Sequence, residues 1–298
     1  MADIVETGDE AAWKDERNRT AHIWSGGVSF SDIESVDRSR FPLWPHESDS
    51  DSYERLVSSC SHPVDTILVL GATPTLREIA SRHARRVIVA DVNSRMLVST
   101  SALLRNADPN REEWIHAFWL DLDLAKGSVD IVFADLIWWF FPTPEQERLR
   151  DLLASFLHPN GSFISRFYMR GADERDPGDI LREYVELSYQ HPAQKDAIYH
   201  MAFLRLAGRM SGARMLSEKT VIADFVLRAA DEYPECAVDL RDKAGRWKLS
   251  MNLTLQDKET ISSCLKHQFR LADEVTPHGY IGADALPVMR WEKARTIT

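Results

Sequence analysis

Apolar strands and helices alternate at short intervals from Thr66 onward, and this alternation limits the chain to few architectures. The runs predict a strand at 66–71, TILVLG, a helix at 74–84, a strand at 86–91, RVIVAD, and a helix at 94–107. These strands are apolar on both faces, as strands are when helices cover both sides of a sheet. Because the crossovers between such units are right-handed, the pattern predicts a doubly wound α/β sheet.

Five further strand-like runs extend this sheet. They occupy residues 114–122, 128–139, 161–169, 270–277 and 286–294. The last two flank a loop that contains glycine, and we predict that they pair antiparallel. A plain dinucleotide-binding sheet does not need such a C-terminal hairpin.

Composition divides the chain into four segments. Residues 1–62 are rich in turn residues but also carry large aromatic side chains, so we expect an N-terminal arm or lid that folds over the main domain. Residues 63–170 form the predicted α/β core, and residues 171–246 form a helical insertion or cap. Residues 247–298 complete the sheet.

Charge and cysteine content argue against several classes of partner. A net charge of −10 disfavours nucleic acid, because its phosphates repel an acidic protein. The three cysteines, Cys60, Cys236 and Cys264, form no CxxC pair, so we predict no metal site. Their odd number and the polar residues 1–20 predict a cytoplasmic protein. No run approaches the ~18 apolar residues that span a membrane.

The turn after the first strand predicts a site for a ligand without phosphates. Gly71 allows close backbone approach, and free amides at a helix start attract anionic or dipolar groups. Thr73 and Pro74 suit a helix start, but their side chains crowd a pyrophosphate and Pro74 lacks an amide donor. A diphosphate dinucleotide is therefore disfavoured here.

Three carboxylates are predicted at the ends of successive strands. Asp91 ends the second strand, Asp121 the third and Asp135 the fourth. In open α/β sheets the carboxyl ends of the strands form the binding crevice. Asp91 lies twenty residues after Gly71, where an acid can accept both ribose hydroxyls. The pattern indicates a nucleoside-containing ligand.

The segment from Asp65 to Tyr168 resembles class I S-adenosylmethionine-dependent methyltransferases. Its LVLGATPTL run, residues 68–76, is similar to an LGxTPxL variant of their first motif. Residues 121–168 are similar to the stretch from the adenine-contacting acid through the fifth strand, and residues 248–295 to the antiparallel close of the sheet. The resemblance implies a Rossmann-like methyltransferase fold with a seven-stranded, mostly parallel sheet.

The resemblance also implies S-adenosyl-L-methionine as cofactor, bound by the predicted α/β core. It places Gly71, Ala72 and Thr73 against the methionine part of this molecule. It assigns Asp91 to the ribose hydroxyls and Val92 to the underside of the adenine.

Three further positions carry implied roles. Asp121 and Leu122 would contact the adenine edge. Asp135 would line the pocket near the amino group of the methionine part or near the substrate. The chain departs from the usual motif in lacking its second and third glycines.

A methyltransferase of this kind needs an aligned nucleophile and, for a hydroxyl or protonated amine, a base. The net charge favours a small-molecule substrate over nucleic acid. Asp135, Tyr168 and His46 are the candidate catalytic residues, because they lie at strand ends or near a predicted lid.

Aromatic residues are candidates for binding the substrate. Trp138 and Trp139 follow Asp135 directly, and Trp24 and Trp44 lie in the N-terminal arm. Each set has two interpretations: rings that line a dry pocket beside the methyl group, or rings that pack in the core or anchor the arm.

Two alternative functions remain open at this point. The glycine-poor turn is compatible with a binding or regulatory protein that keeps the fold without turnover. A nicotinamide-dependent oxidoreductase is the less favoured alternative, because Pro74 and the missing glycines oppose a pyrophosphate.

Overall fold

The computed structural model describes residues 45–171, 174–211, 219–249 and 253–294. Seven strands form one sheet: β1 (Thr66–Leu70), β2 (Arg86–Asp91), β3 (Glu112–His116), β4 (Val129–Asp135), β5 (Leu157–Arg166), β6 (Phe269–Val275) and β7 (Val288–Lys293). Their order is β3-β2-β1-β4-β5-β7-β6. Neighbouring strands from β3 to β5 are parallel, whereas β7 is antiparallel to β5 and to β6. The predicted doubly wound sheet with an antiparallel C-terminal pair is confirmed.

Helices cover both faces of this sheet. They are α1 (Glu47–Ser58), α2 (Pro74–His83), α3 (Ser94–Ser101), α4 (Thr143–Phe156), α5 (Pro177–Gln190), α6 (Lys195–Ser211), α7 (Lys219–Ala229), α8 (Ala237–Leu249) and α9 (Lys258–Leu265). Alternate residues of β1 enter two cores, as the two-residue period of a strand requires. Ile67 and Val69 pack with α1, α2 and α3, whereas Leu68 and Leu70 pack with α4 and α9.

The third strand is shorter than the sequence predicts. Its last pair joins His116 to Asp91, the final residue of β2. The next amide, that of Ala117, still donates to Asp91 O at 3.2 Å, but β2 ends there and the apolar run continues as a short 3₁₀ turn, Trp119–Asp121. The prediction that Asp121 ends the third strand is therefore wrong.

The helices α5 to α8 form a separate apolar core on the chain between β5 and β6. Their buried side chains meet the sheet through a few residues at its carboxyl edge, among them Leu136, Trp139, Tyr168 and Leu286. This arrangement places a helical layer beside the carboxyl ends of β4 and β5, the edge at which open α/β sheets bind their ligands.

A buried ion pair ties α2 to the outer strand of the sheet. The Arg77 guanidinium donates to Glu112 at 2.6 and 2.9 Å, and both side chains are at most 1% exposed. The same guanidinium donates to Leu97 O, Thr100 Oγ1 and Ser101 Oγ of α3. One cation thus joins α2, α3 and the edge strand β3, which is half-exposed and has a neighbouring strand on one side.

Within the described part of the chain, no helix combines the length and apolar content that a bilayer crossing demands. In the same residues, no group of three or more histidine, cysteine, aspartate or glutamate side chains is placed to hold a metal ion.

We expect Glu112→Gln to destabilise the protein by about 3–5 kcal/mol, because it leaves the Arg77 charge buried without a counterion. The matched control is Glu113→Gln on the same strand, which removes a half-exposed pair with Arg86. That change should cost about 0–1 kcal/mol. Urea denaturation measures both free energies of unfolding, and equal losses would contradict a special role for the buried pair.

Candidate active site

The turn after β1 is tight and depends on glycine. Gly71 has φ of +96°, a conformation that L side chains rarely adopt. Its amide donates to Ala90 O at 2.8 Å, which fixes the turn against β2. Thr73 then takes the N-cap position of α2 and Pro74 its first turn, as the sequence predicts.

The carboxylate of Asp91 joins this turn to the one after β2. Its Oδ2 accepts from the Ala72 amide at 2.9 Å, and its Oδ1 accepts from the Asn93 amide at 2.7 Å. A carboxylate oxygen accepts more than one hydrogen bond, so both oxygens keep capacity for hydroxyl groups. Burial raises the pKa of Asp91 to about 6, although the two amides oppose this rise. The structure thus brings Gly71, Ala72 and Asp91 together.

An aromatic side chain that sequence reasoning missed covers the turn. The Trp119 indole donates to Ala90 O at 2.9 Å. A Cβ added to Gly71 would lie 3.8 Å from the Trp119 ring. The ring also lies near Phe118 and Phe141, with centroids 6.5 and 6.1 Å away. A ligand that reaches the Gly71 backbone must therefore contact this indole or displace it.

The other predicted adenine contacts, which follow β2 and β3 in the chain, differ in exposure. Val92 O is bonded to the His116 ring at 2.8 Å, so it lies at the end of β2 as expected. Leu122 is buried in the apolar core, whereas Asp121 is exposed. The adenine contacts of all three residues stay predictions.

A buried arginine organises the edge of the sheet at β4 and β5. The Arg166 side chain donates to both oxygens of Asp135, at 2.7 and 2.9 Å, and to Asp49 Oδ2 at 2.7 Å. These three side chains are between 0 and 5% exposed. A guanidinium with two carboxylates carries one excess negative charge when both are ionised. We call these three residues the edge cluster.

Tyrosine and histidine side chains extend the edge cluster. The Tyr280 hydroxyl donates to Asp49 Oδ1 at 2.8 Å, and the His46 amide donates to Asp49 Oδ2 at 2.7 Å. The His46 ring lies 5.0 Å from that of Tyr280 and caps α1, where its Nδ1 accepts from the Ser48 amide. The structure therefore connects two predicted catalytic residues, His46 and Asp135, through Asp49 and Arg166.

Burial and charge oppose each other in the edge cluster. Burial raises the pKa of Asp135, and the adjacent Arg166 guanidinium lowers it. Burial lowers the pKa of Arg166, but Asp135 and Asp49 outweigh that effect and raise it well above its ordinary value. Arg166 consequently stays protonated across the physiological range.

The remaining predicted residues lie away from the edge cluster or outside the described residues. Tyr168 and Trp139 pack against each other in the core of the helical insertion, each 4% exposed, with ring centroids 5.9 Å apart. Trp138 is 2% exposed and packs on Phe167. Trp24 and Trp44 lie outside the described residues. The catalytic and substrate-binding roles of these residues stay predictions.

Comparison with known proteins agrees with this geometry. Residues 68–161 match the family model described as Methyltransferase domain. This range contains the Gly71 turn, Asp91 and Asp135. No curated protein sequence matches the chain at a significant level.

Solved structures with low sequence identity share the fold. The chain is 10% identical to a Burkholderia thailandensis 1,6-didemethyltoxoflavin-N1-methyltransferase crystallised with 1,6-didemethyltoxoflavin and S-adenosylhomocysteine; the TM-score is 0.52, with 98% of this chain and 92% of that chain covered. It is 11% identical to the N-methyltransferase NodS of Bradyrhizobium japonicum WM9, crystallised with S-adenosylhomocysteine; the TM-score is 0.50, with 89% and 97% covered.

The family match and the fold agree on the class of the central domain. Residues 68–161 match a methyltransferase domain, and the sheet that contains them has the Rossmann-like order expected from the resemblance to class I enzymes. The predicted enzyme class, an S-adenosylmethionine-dependent methyltransferase, is confirmed at this level.

Stability should depend on the Asp91 proton. Because the pKa of folded Asp91 is raised from 3.8 to about 6, the folded state binds this proton more tightly than the unfolded chain does. The resulting stabilisation is present below the unfolded pKa and is lost as the pH rises through about 6. We expect the free energy of unfolding of the wild type to fall, relative to Asp91→Asn, between about pH 4 and 7. Denaturation at a series of pH values measures both free energies of unfolding. A constant difference between the wild type and Asp91→Asn over this pH range would contradict the prediction.

Proposed function

We propose that the protein transfers a methyl group from S-adenosyl-L-methionine to a small-molecule acceptor by direct displacement, in a pocket lined by aromatic side chains. The junction of the Gly71 turn with the Asp91 carboxylate carries the proposal. It lies at the carboxyl edge of the parallel strands, within the residues that match a methyltransferase domain.

The residues at this junction suit the parts of the cofactor. Because Gly71 has no Cβ, a flexible tail can approach its backbone closely once the Trp119 ring gives way, with Ala72 and Thr73 beside it. The free acceptor capacity of Asp91 suits two ribose hydroxyls, and Val92 begins the turn on which the adenine would rest. No phosphate has to pass the helix start, where Pro74 offers no amide.

The edge cluster supports the predicted role of Asp135 near the amino group of the methionine part. When both carboxylates are ionised, the buried excess negative charge favours a cationic neighbour such as an ammonium group. Both Asp135 oxygens are engaged by Arg166, which makes this carboxylate better suited to positioning than to accepting a proton. His46 lies at the same corner and is our candidate for the base.

Bound S-adenosyl-L-methionine supplies a methyl group that its sulfonium already activates. The contribution of the chain is to hold the acceptor in line, to exclude water and to take up any proton that the acceptor loses. The net charge of −10 favours a small acceptor over nucleic acid.

Calorimetry with S-adenosylhomocysteine tests the cofactor site directly. We expect Asp91→Ala to weaken binding about 10–100-fold, because two hydroxyl–carboxylate hydrogen bonds are lost. Asp123→Asn is the control, since Asp123 is exposed and lies outside the junction. Equal affinities of the wild type and Asp91→Ala would show that Asp91 does not bind the ribose hydroxyls. Release of labelled methyl product from candidate acceptors then separates an enzyme from a protein that only binds.

The indole of Trp119 favours one rival, a protein that retains the fold without turnover. In this structure the ring occupies the space over Gly71 that the methionine part would need. Displacing it costs the hydrogen bond to Ala90 O and the ring contacts.

Replacing the Trp119 ring tests whether it blocks the cofactor site or forms part of it. We expect Trp119→Ala to tighten S-adenosylhomocysteine binding about 5-fold, since about 1 kcal/mol of hydrogen bonding no longer has to be broken. Trp114→Ala on the outer strand is the control and should leave affinity unchanged. Weaker binding by Trp119→Ala would instead make the indole part of the site. Absence of binding in both proteins would favour the non-enzymatic alternative.

A further inference from the structure

A surface cleft of about 760 Å³ lies at the carboxyl edge of the sheet, on the side of the helical insertion. Its walls come from the chain after β5, from α5 and α6, and from the loop that joins β6 to β7. Its volume is within the range of sites for small molecules. None of the residues predicted from the sequence lines it.

The cleft opens on the same edge as the methyltransferase site. Its wall includes Ile281 and Gly282, which directly follow Tyr280. The Tyr280 hydroxyl bonds Asp49, and Asp49 bonds the Arg166 that holds the end of β4. The contact of Tyr280 with Asp49 therefore connects the chain beside the cleft wall to the edge cluster.

The wall contains an arginine, Arg205, that has more N–H donors than polar partners. The Arg205 side chain is 17% exposed, and its guanidinium has five N–H donors. Among the residues that the structure describes, its ion-pair partner is Asp284 at 3.2 Å, which is 76% exposed, and the Tyr168 and Tyr184 hydroxyls are further polar neighbours. A largely desolvated cation whose charged partner is this exposed favours an additional anion.

A glycine makes room for this guanidinium against the main chain at the cleft. A Cβ on Gly171 would lie 2.6 Å from Arg205 Nη1, so the glycine lets the side chain lie directly on the main chain after β5. The cation therefore lies between the main chain and its ion-pair partner Asp284 at the cleft wall.

The charges on the cleft wall limit the ligand to a single negative charge. Arg205 and Arg175 face three acids, Glu174, Glu183 and Asp284. Glu183 is already paired with Arg175 at 2.6 Å. The three acids repel a phosphate dianion, whereas a carboxylate matches the planar fork of one guanidinium.

Apolar groups complete the wall. Leu187 of α5 and Ile281 of the β6–β7 loop are partly buried and line the same cleft. They suit the non-polar body of a molecule whose carboxylate lies against Arg205.

We propose that this cleft binds the methyl acceptor, and that the acceptor is a small molecule with one carboxylate held by Arg205. The identity of the cleft as the acceptor site rests on the proposed function. The recognition of a carboxylate does not, because it depends on Arg205 alone.

Saturation-transfer NMR with matched pairs of ligands tests the proposal without turnover. The probes are benzoate, anthranilate, salicylate and indole-3-acetate, each compared with its primary amide, on the full-length protein. We expect saturable binding of at least one carboxylate, about 10-fold or more weaker binding of its amide, and a similar loss in Arg205→Met. Arg205→Lys keeps the charge but not the fork, so its loss should be smaller. Arg175→Gln in the same wall is the control and should change affinity less than either.

A change of opposite sign keeps the test decisive if the Arg205 variants fold poorly. Asp284→Asn removes the exposed carboxylate that competes for Arg205, so carboxylate binding should tighten about 3–10-fold. Equal binding of acids and amides, unchanged affinity in Asp284→Asn, or no binding by any of the four acids would overturn the proposal. S-adenosylhomocysteine affinity, measured on the same samples, reports separately on the proposed function. If the protein binds carboxylates but not S-adenosylhomocysteine, the carboxylate site in the cleft is supported and the proposed methyl transfer is contradicted.

Discussion

The guanidinium of Arg166 is the interaction on which the geometry of this protein depends. It bonds Asp135 at the end of β4 and Asp49 in α1, so one side chain joins a central strand to a helix that precedes the whole sheet in sequence. The Tyr53 hydroxyl reinforces the join, because it bonds Ala134 O and the Arg166 amide. Burying an ion costs free energy unless the ion is paired. Here the pairing requires α1, β4 and β5 to keep fixed positions relative to one another. The carboxyl edge of the sheet is thereby fixed before any ligand binds.

Two neighbouring regions at this edge differ in how they are built. Main-chain amides hold the Gly71 turn and Asp91 together, which leaves further acceptor capacity on the Asp91 carboxylate. The region beside the helical insertion uses side-chain charge instead, with Arg205 resting on the backbone of Gly171. The division suits the proposed two-substrate reaction, because a constant donor would meet a main-chain site and a particular acceptor would meet a site that side chains can vary.

The fold and the Asp91 junction were predictable, whereas the rest of the site was not. Strands that are apolar on both faces and an acid at a strand end are local signals, so residues near Gly71 and Asp91 could be placed from the sequence. The edge cluster joins residues 117 positions apart, and Asp49 lies in a serine and aspartate run typical of a loop. An arginine inside the apolar run FISRFY was the available signal, since a buried cation demands a partner. Asp121 was misplaced because strand pairing, not apolarity, ends β3.

The position of β7 has a consequence for synthesis of the chain on the ribosome. Since β7 lies between β5 and β6, the residues of β6 emerge before the strand that will hold them exists. Until residues 288–293 are made, β5 presents an unpaired apolar edge, and a nascent chain in that condition is open to pairing with another copy. Premature termination just before β7 should therefore yield aggregates rather than a smaller folded domain.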